Sequence, residues 1–98
     1  MINRIVRMSF QPEKVEEFLK IFDTSKKLIA NFDGCSSLKL LQDVNQKNVF
    51  FTYSIWENEQ CIENYRNSEL FNLTWAQTKI LFNDKPLAWS TKIADIVK

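Results

Sequence analysis

A chain of 98 residues carrying 13 basic and 12 acidic side chains, the signs interspersed, has room for one hydrophobic core and gives little support to binding a phosphate backbone. Its 45% hydrophobic and 13% aromatic content, with one glycine and two prolines, marks a globular sequence with short loops. Histidine is absent, which removes Ser-His-Asp and Cys-His catalysis, His-ligated zinc and His-ligated haem together. No apolar run of about 18 residues is present to span a membrane. The opening Met1-Ile2-Asn3-Arg4 lacks the apolar core of a signal peptide, so the expectation is a cytoplasmic protein whose Cys35 and Cys61 stay free thiols. Residues 1–98 read as a single domain without linkers or repeats.

Ile2 to Phe10 reads as a strand, with Val6, Met8 and Phe10 on one face and Asn3, Ile5, Arg7 and Ser9 on the other. Pro12 opens a helix, where its missing N–H costs nothing. Val15, Phe18, Leu19, Phe22, Ile29 and Phe32 recur at helical spacing, widened by Ile21 and Leu28. Gly34 is expected as a left-handed C-cap of that helix. Ser36 to Asp43 forms a second strand, the polar Val44–Asn48 stretch a hairpin turn, and Val49 to Trp56 the most β-prone segment of the chain. Asn58 caps a helix carrying Cys61, Ile62 and Tyr65 on one side. Ser68 offers a second cap and hence a break near Asn67-Ser68. Leu70, Phe71, Trp75 and Thr78 continue one face to a stop at Asn83–Pro86, and Leu87 to Ile93 is the last strand.

The order β-α-β-β-α-β predicts a ferredoxin-like α+β fold, an antiparallel sheet with its helices on one face. Phe51, Tyr53 and Ile55 alternate on one face of the third strand, with Leu38 and Leu40 available on the second. The helices can cover one sheet face, and the other, still apolar, calls for a second copy of the same sheet.

The run Phe50-Phe51-Thr52-Tyr53-Ser54-Ile55-Trp56-Glu57-Asn58-Glu59 resembles the third strand and helix start of antibiotic biosynthesis monooxygenase domains. Tyr65-Arg66-Asn67-Ser68-Glu69-Leu70-Phe71, Trp75, the Phe32–Cys35 corner and Lys85–Ser90 extend the resemblance. It implies a homodimeric α+β barrel with a pocket between sheet and helices in each subunit. It also implies cofactor-free oxidation of electron-rich phenols, with no metal and no bound cofactor. Related members degrade haem with an Asn on the first strand, a Trp ending the third and a His on the last helix. Asn3 and Trp56 resemble the first two, but the position of the His is Trp75, whose indole does not ligate iron.

On that basis Asn3, Trp56 and Tyr65 are the candidate catalytic residues, for hydrogen bonding and ring contact. Thr52, Ser54, Arg7, Phe71 and Trp75 are the candidate substrate-binding residues. Each has a plainer reading. Trp56, Tyr65 and Trp75 can be core aromatics, Asn3 an exposed residue near a frayed terminus, and Arg7 half of a surface ion pair. Thr52 and Ser54 can be ordinary strand hydroxyls. The expected partner is a small aromatic molecule rather than a nucleic acid or a membrane. A non-catalytic binder, or an isomerase on the same fold, are the alternatives.

Overall fold

A computed structural model describes residues 1–98. Strand β1 (Ile2–Ser9) leads through a short 3-10 turn at Pro12–Lys14 into helix α1 (Val15–Ala30). Strands β2 (Cys35–Gln42) and β3 (Val49–Trp56) form a hairpin, helices α2 (Glu59–Arg66) and α3 (Glu69–Lys79) follow, and β4 (Leu87–Thr91) ends the fold. The strands lie in the order β2-β3-β1-β4, each antiparallel to its neighbours. This is the ferredoxin-like α+β arrangement that the element order predicts.

Local chemistry accounts for the boundaries. Asp43 Oδ1 accepts from the backbone N–H groups of Asn45 and Gln46, a side-chain-closed turn that starts the hairpin connection. The Asn58 side chain accepts from Cys61 N, and the Ser68 hydroxyl accepts from Phe71 N. Each cap satisfies an N-terminal donor of its own helix, so α2 and α3 are separate rods with the break at Asn67-Ser68. Helix α1 ends at Ala30, earlier than the sequence pattern suggests. Gly34 lies four residues on, in the turn that enters β2, with φ 89°, so it caps no helix. It lets the chain reverse.

The core lies between one sheet face and the helices. Met8, Phe10, Phe18, Phe50 and Leu81 form its buried centre. Phe10 stacks on Phe18 at 4.1 Å and meets Phe50 and Phe82 edge-on or tilted. Asn48 Nδ2 donates to Phe10 O and the Ser9 hydroxyl donates to Asn83 Oδ1, closing that end of the sheet. Ile21 and Phe22 pack on this cluster, whereas Leu28 is 61% exposed and Leu19 39%. The α1 stripe is thus narrower than its apolar residues suggest.

Register corrects one assignment. Leu38 pairs with Ser54 and Leu40 with Thr52, so both point toward the helices. The open face takes Ser37, Lys39 and Leu41 from β2 instead, opposite Ile55, Tyr53 and Phe51. Ile5, Leu87 and Trp89 share it through the β1–β4 pairing. It keeps a large apolar share beside Ser37 and Lys39, with Leu41, Leu87 and Trp89 all exposed in the single chain. Both cysteines are free, and no helix is long and apolar enough to cross a membrane.

Candidate functional site

Between the helix-facing side of the sheet and the helices lies a cavity of about 320 Å³, at the lower end of the range for small-molecule sites. Strand alternation decides what reaches it. The even-numbered side chains Arg4, Val6 and Met8 of β1, Thr52, Ser54 and Trp56 of β3, and Ala88 of β4 form its floor. Ile62, Tyr65 and Arg66 of α2, with Phe71, Thr74, Trp75 and Thr78 of α3, form the roof, and Phe18, Phe22 and Ser25 of α1 close one wall. The i, i+3 and i+4 spacing of a helix places each roof set on one face.

Thr52, Ser54, Trp56, Tyr65, Phe71 and Trp75 all line this cavity. Asn3 and Arg7 do not. Asn3 pairs with Ile55 and Arg7 with Phe51, so both belong to the open face. The pairing of Asn3 with Trp56 in one pocket is therefore corrected: consecutive strand residues point to opposite faces, and the cavity-facing neighbour of Asn3 is Arg4. The sequence carried that signal, since Arg4 shares parity with Val6, Met8 and Phe10. Arg66 was legible in the same way, one position past Tyr65 and four past Ile62. On the open face the charge of Arg7 reaches Asp43, whose carboxyl lies below its ordinary range chiefly because the Gln46 and Asn45 backbone N–H groups bond to it.

The polar groups of the cavity divide into those already engaged and those available. Trp56, 1% exposed, donates its indole N–H to Ser54 Oγ at 2.9 Å, and that hydroxyl donates to Arg4 O. This N–H is satisfied inside the protein, so Trp56 supplies a wall rather than a donor for a ligand. The Ser25 and Thr78 hydroxyls donate to Ile21 O and Thr74 O one turn back on their own helices. Thr52, Thr74 and Tyr65 keep their hydroxyls for whatever enters. Arg4 commits one N–H, from Nη1 to Ser90 Oγ, and keeps the rest of its fork.

Electrostatics sharpen the picture. Burial pushes the Tyr65 hydroxyl up to about 12, with a smaller push from Cys35. It is a donor at neutral pH, and it cannot act there as a base. The Cys35 thiol is itself raised by burial. A register shift between Cys35 and Ser37 pairs Cys35 with Trp56 and brings it to the helix side. Burial, then the charge of Arg66, lowers Arg4 from its ordinary value, though a guanidinium stays protonated throughout the working range. Aromatic rings run from the floor up along the roof: Trp56–Tyr65 at 5.1 Å, Tyr65–Phe71 at 5.2 Å, and Phe71 stacked on Trp75 at 5.6 Å. Such a wall favours a flat apolar ligand. Nowhere do three Cys, Asp or Glu side chains gather in a way that could hold a metal ion.

Solved structures of the same shape are numerous. One, described as an antibiotic biosynthesis monooxygenase, superposes with a TM-score of 0.91 at 13% identity, covering 97% of this chain and 100% of its own. A candidate antibiotic biosynthesis monooxygenase of Caulobacter crescentus gives 0.85 at 20% identity, covering 96% and 90%. A conserved protein of Methanosarcina mazei Go1 gives 0.88 at 15%, covering 93% and 90%. At such identities the likeness speaks for the fold. A comparison with curated proteins finds no match. The family model for antibiotic biosynthesis monooxygenase, however, matches residues 1–75, from β1 into α3. That span takes in both strands of the cavity floor's centre and most of its roof, and the chain belongs to the antibiotic biosynthesis monooxygenase family.

Proposed function

We propose that the chain is a cofactor-independent oxidoreductase that oxidises an electron-rich phenolic ring with O₂. The observation that carries this reading is the pairing of an aromatic-walled cavity with the free hydroxyl of Tyr65 and the guanidinium of Arg4. A phenolate ring can transfer one electron to O₂, giving a caged radical pair that recombines with C–O bond formation to a ring peroxide, which takes up a proton and loses water to leave a quinone. The protein's part is to hold the ring, stabilise its oxyanion and limit water. Tyr65 would donate to the oxyanion, Arg4 would supply positive charge, and Phe71 and Trp75 would hold the ring's faces.

The cavity has no group that acts as a base near neutral pH, since its ionisable lining is Arg4, Arg66 and the raised Tyr65. The substrate must therefore ionise with help from positive charge alone, which favours acidic phenols and hydroquinones. The same lack disfavours an isomerase, which needs a base to move a proton. A non-catalytic binder of the same ligands is the second reading, and it is favoured by how many cavity hydroxyls are already engaged internally. The working unit is a homodimer joined through the open sheet face, where Phe51, Tyr53, Ile55 and Trp89 would be covered, and the compartment is the cytoplasm.

Oxygen uptake with a panel of anthrols and hydroquinones, in the presence of a chelator, tests the proposal. Turnover that falls in Tyr65→Phe is the expected result. Saturable binding without uptake for every member would leave the binder.

A further inference from the structure

We infer that the cavity takes an aromatic compound bearing a permanent anionic group, an aryl carboxylate, seated between Arg4 of the floor and Arg66 of the roof with its ring against Tyr65, Phe71 and Trp75. This rests on reading the cavity as the substrate site. Of the residues that line the cavity, Arg4 and Arg66 alone carry full charge, and no Asp or Glu is among them. The chain's one salt bridge joins Lys26 to Asp23 on α1, so neither guanidinium has a carboxylate partner. Arg4 is half-buried and Arg66 exposed at the last position of α2; both line the one cavity, and the charge of Arg66 disfavours that of Arg4.

Two like charges facing one otherwise apolar chamber are unfavourable until a counter-charge enters. A guanidinium fork matches a carboxylate in plane and spacing, and the bonds are charge-assisted. The Arg4 guanidinium is also tethered, with Nη1 donating to Ser90 Oγ. Such anchoring lowers the cost of binding. The rest of the lining is mainly apolar, and Tyr65, Phe71 and Trp75 give it ring surface. A carboxylate at one end and a flat apolar body beyond it satisfies both halves, and a neutral phenol satisfies one.

Titration calorimetry with 2-naphthoate, 2-naphthamide and 2-naphthol at neutral pH tests this. The amide has nearly the acid's shape without its charge. Naphthoate should bind roughly 10-fold or more tightly than naphthamide, the scale of hydrogen bonds to a charged group. Arg66→Met and Arg4→Met should each remove most of that preference, weakening naphthoate far more than naphthamide. Lys47→Met, in the β2–β3 turn, should change neither. Arg66 is exposed, so its variant carries the test should Arg4→Met not fold, as judged by circular dichroism.

Equal affinity for acid and amide, failure of both to bind, or a preference that survives both substitutions would overturn the inference. So would naphthol binding as tightly as naphthoate with the same arginine dependence, because the charge would then be made in the site. Naphthoate preference without oxygen uptake by any phenol would sink the oxidase reading and leave this one standing. Uptake with neutral hydroquinones and no preference would do the reverse.

Discussion

Replacing Gly34 by alanine should destabilise the fold through two separable effects. Its φ of 89° lies beyond the left-handed region that a side chain tolerates, which costs about 1–2 kcal/mol. A Cβ at this position would also run into both Sγ and Cβ of Cys61 on α2, an overpacking worth about 1–3 kcal/mol. Together they should remove on the order of 2–5 kcal/mol, a large share of the about 5–15 typical of a domain. Urea unfolding followed by circular dichroism measures this. A double-mutant cycle separates the parts. Cys61→Ala leaves the second colliding atom in place and should rescue little. Cys61→Gly removes both, so after allowing for its own helix cost of about 1 kcal/mol it should recover the steric share and leave the backbone share. A loss below about 0.5 kcal/mol, the ordinary scatter of surface changes, would refute the reasoning. So would a loss indifferent to residue 61.

Three further outcomes are expected. Because the folded protein holds the Tyr65 proton up to about 12 against 10.0 for a free tyrosine, this group leaves stability intact below pH 10 and drains it as pH climbs toward 12. The drain totals roughly 2–3 kcal/mol and should be missing in Tyr65→Phe, as urea melts at pH 9 and at pH 11.5 would reveal. Trp56→Phe breaks the bond to Ser54 in a buried place and should lower unfolding free energy by about 1–3 kcal/mol, read in the same way. Tyr53→Asp puts a charge on the open face, half-buried in the single chain, and light scattering should report a folded monomer in place of a dimer. A dimer that persists in this variant would remove that face from the interface.

Legibility in the sequence followed the range of the interaction. Val49–Trp56 was plain because eight β-prone residues run unbroken between polar flanks, and Asn58 and Ser68 were plain because a cap acts within three residues. The faces of β1 are equally clear from alternation, and Asn3 enters the candidate site through the family likeness alone. Leu38 and Leu40 were a different failure. Which side of a strand meets the helices depends on its register with a neighbour, and β2 carries an irregularity at Cys35/Ser37 that nothing in Cys-Ser-Ser-Leu announces. The engagement of Trp56 with Ser54 needed side-chain directions, and so lay beyond any pattern of residue types.

The joint between α2 and α3 has a consequence for how such a chamber can be re-tailored. Both helix ends there are closed locally: Ser68 N and its hydroxyl donate to Tyr65 O, while Asn67 N donates to Glu63 O. No backbone group at the bend relies on the sheet for a partner. A joint of another length that re-forms such local bonds would leave no sheet group without its partner, and the floor strands would not have to move in compensation. Arg66 sits at the end of one rod, while Phe71 and Trp75 ride on the other. The charge of the roof and the Phe71–Trp75 stack are thus mounted on separate carriers, and altering the two residues between them would adjust their spacing as one varies the jaw of an adjustable spanner, with the handle untouched.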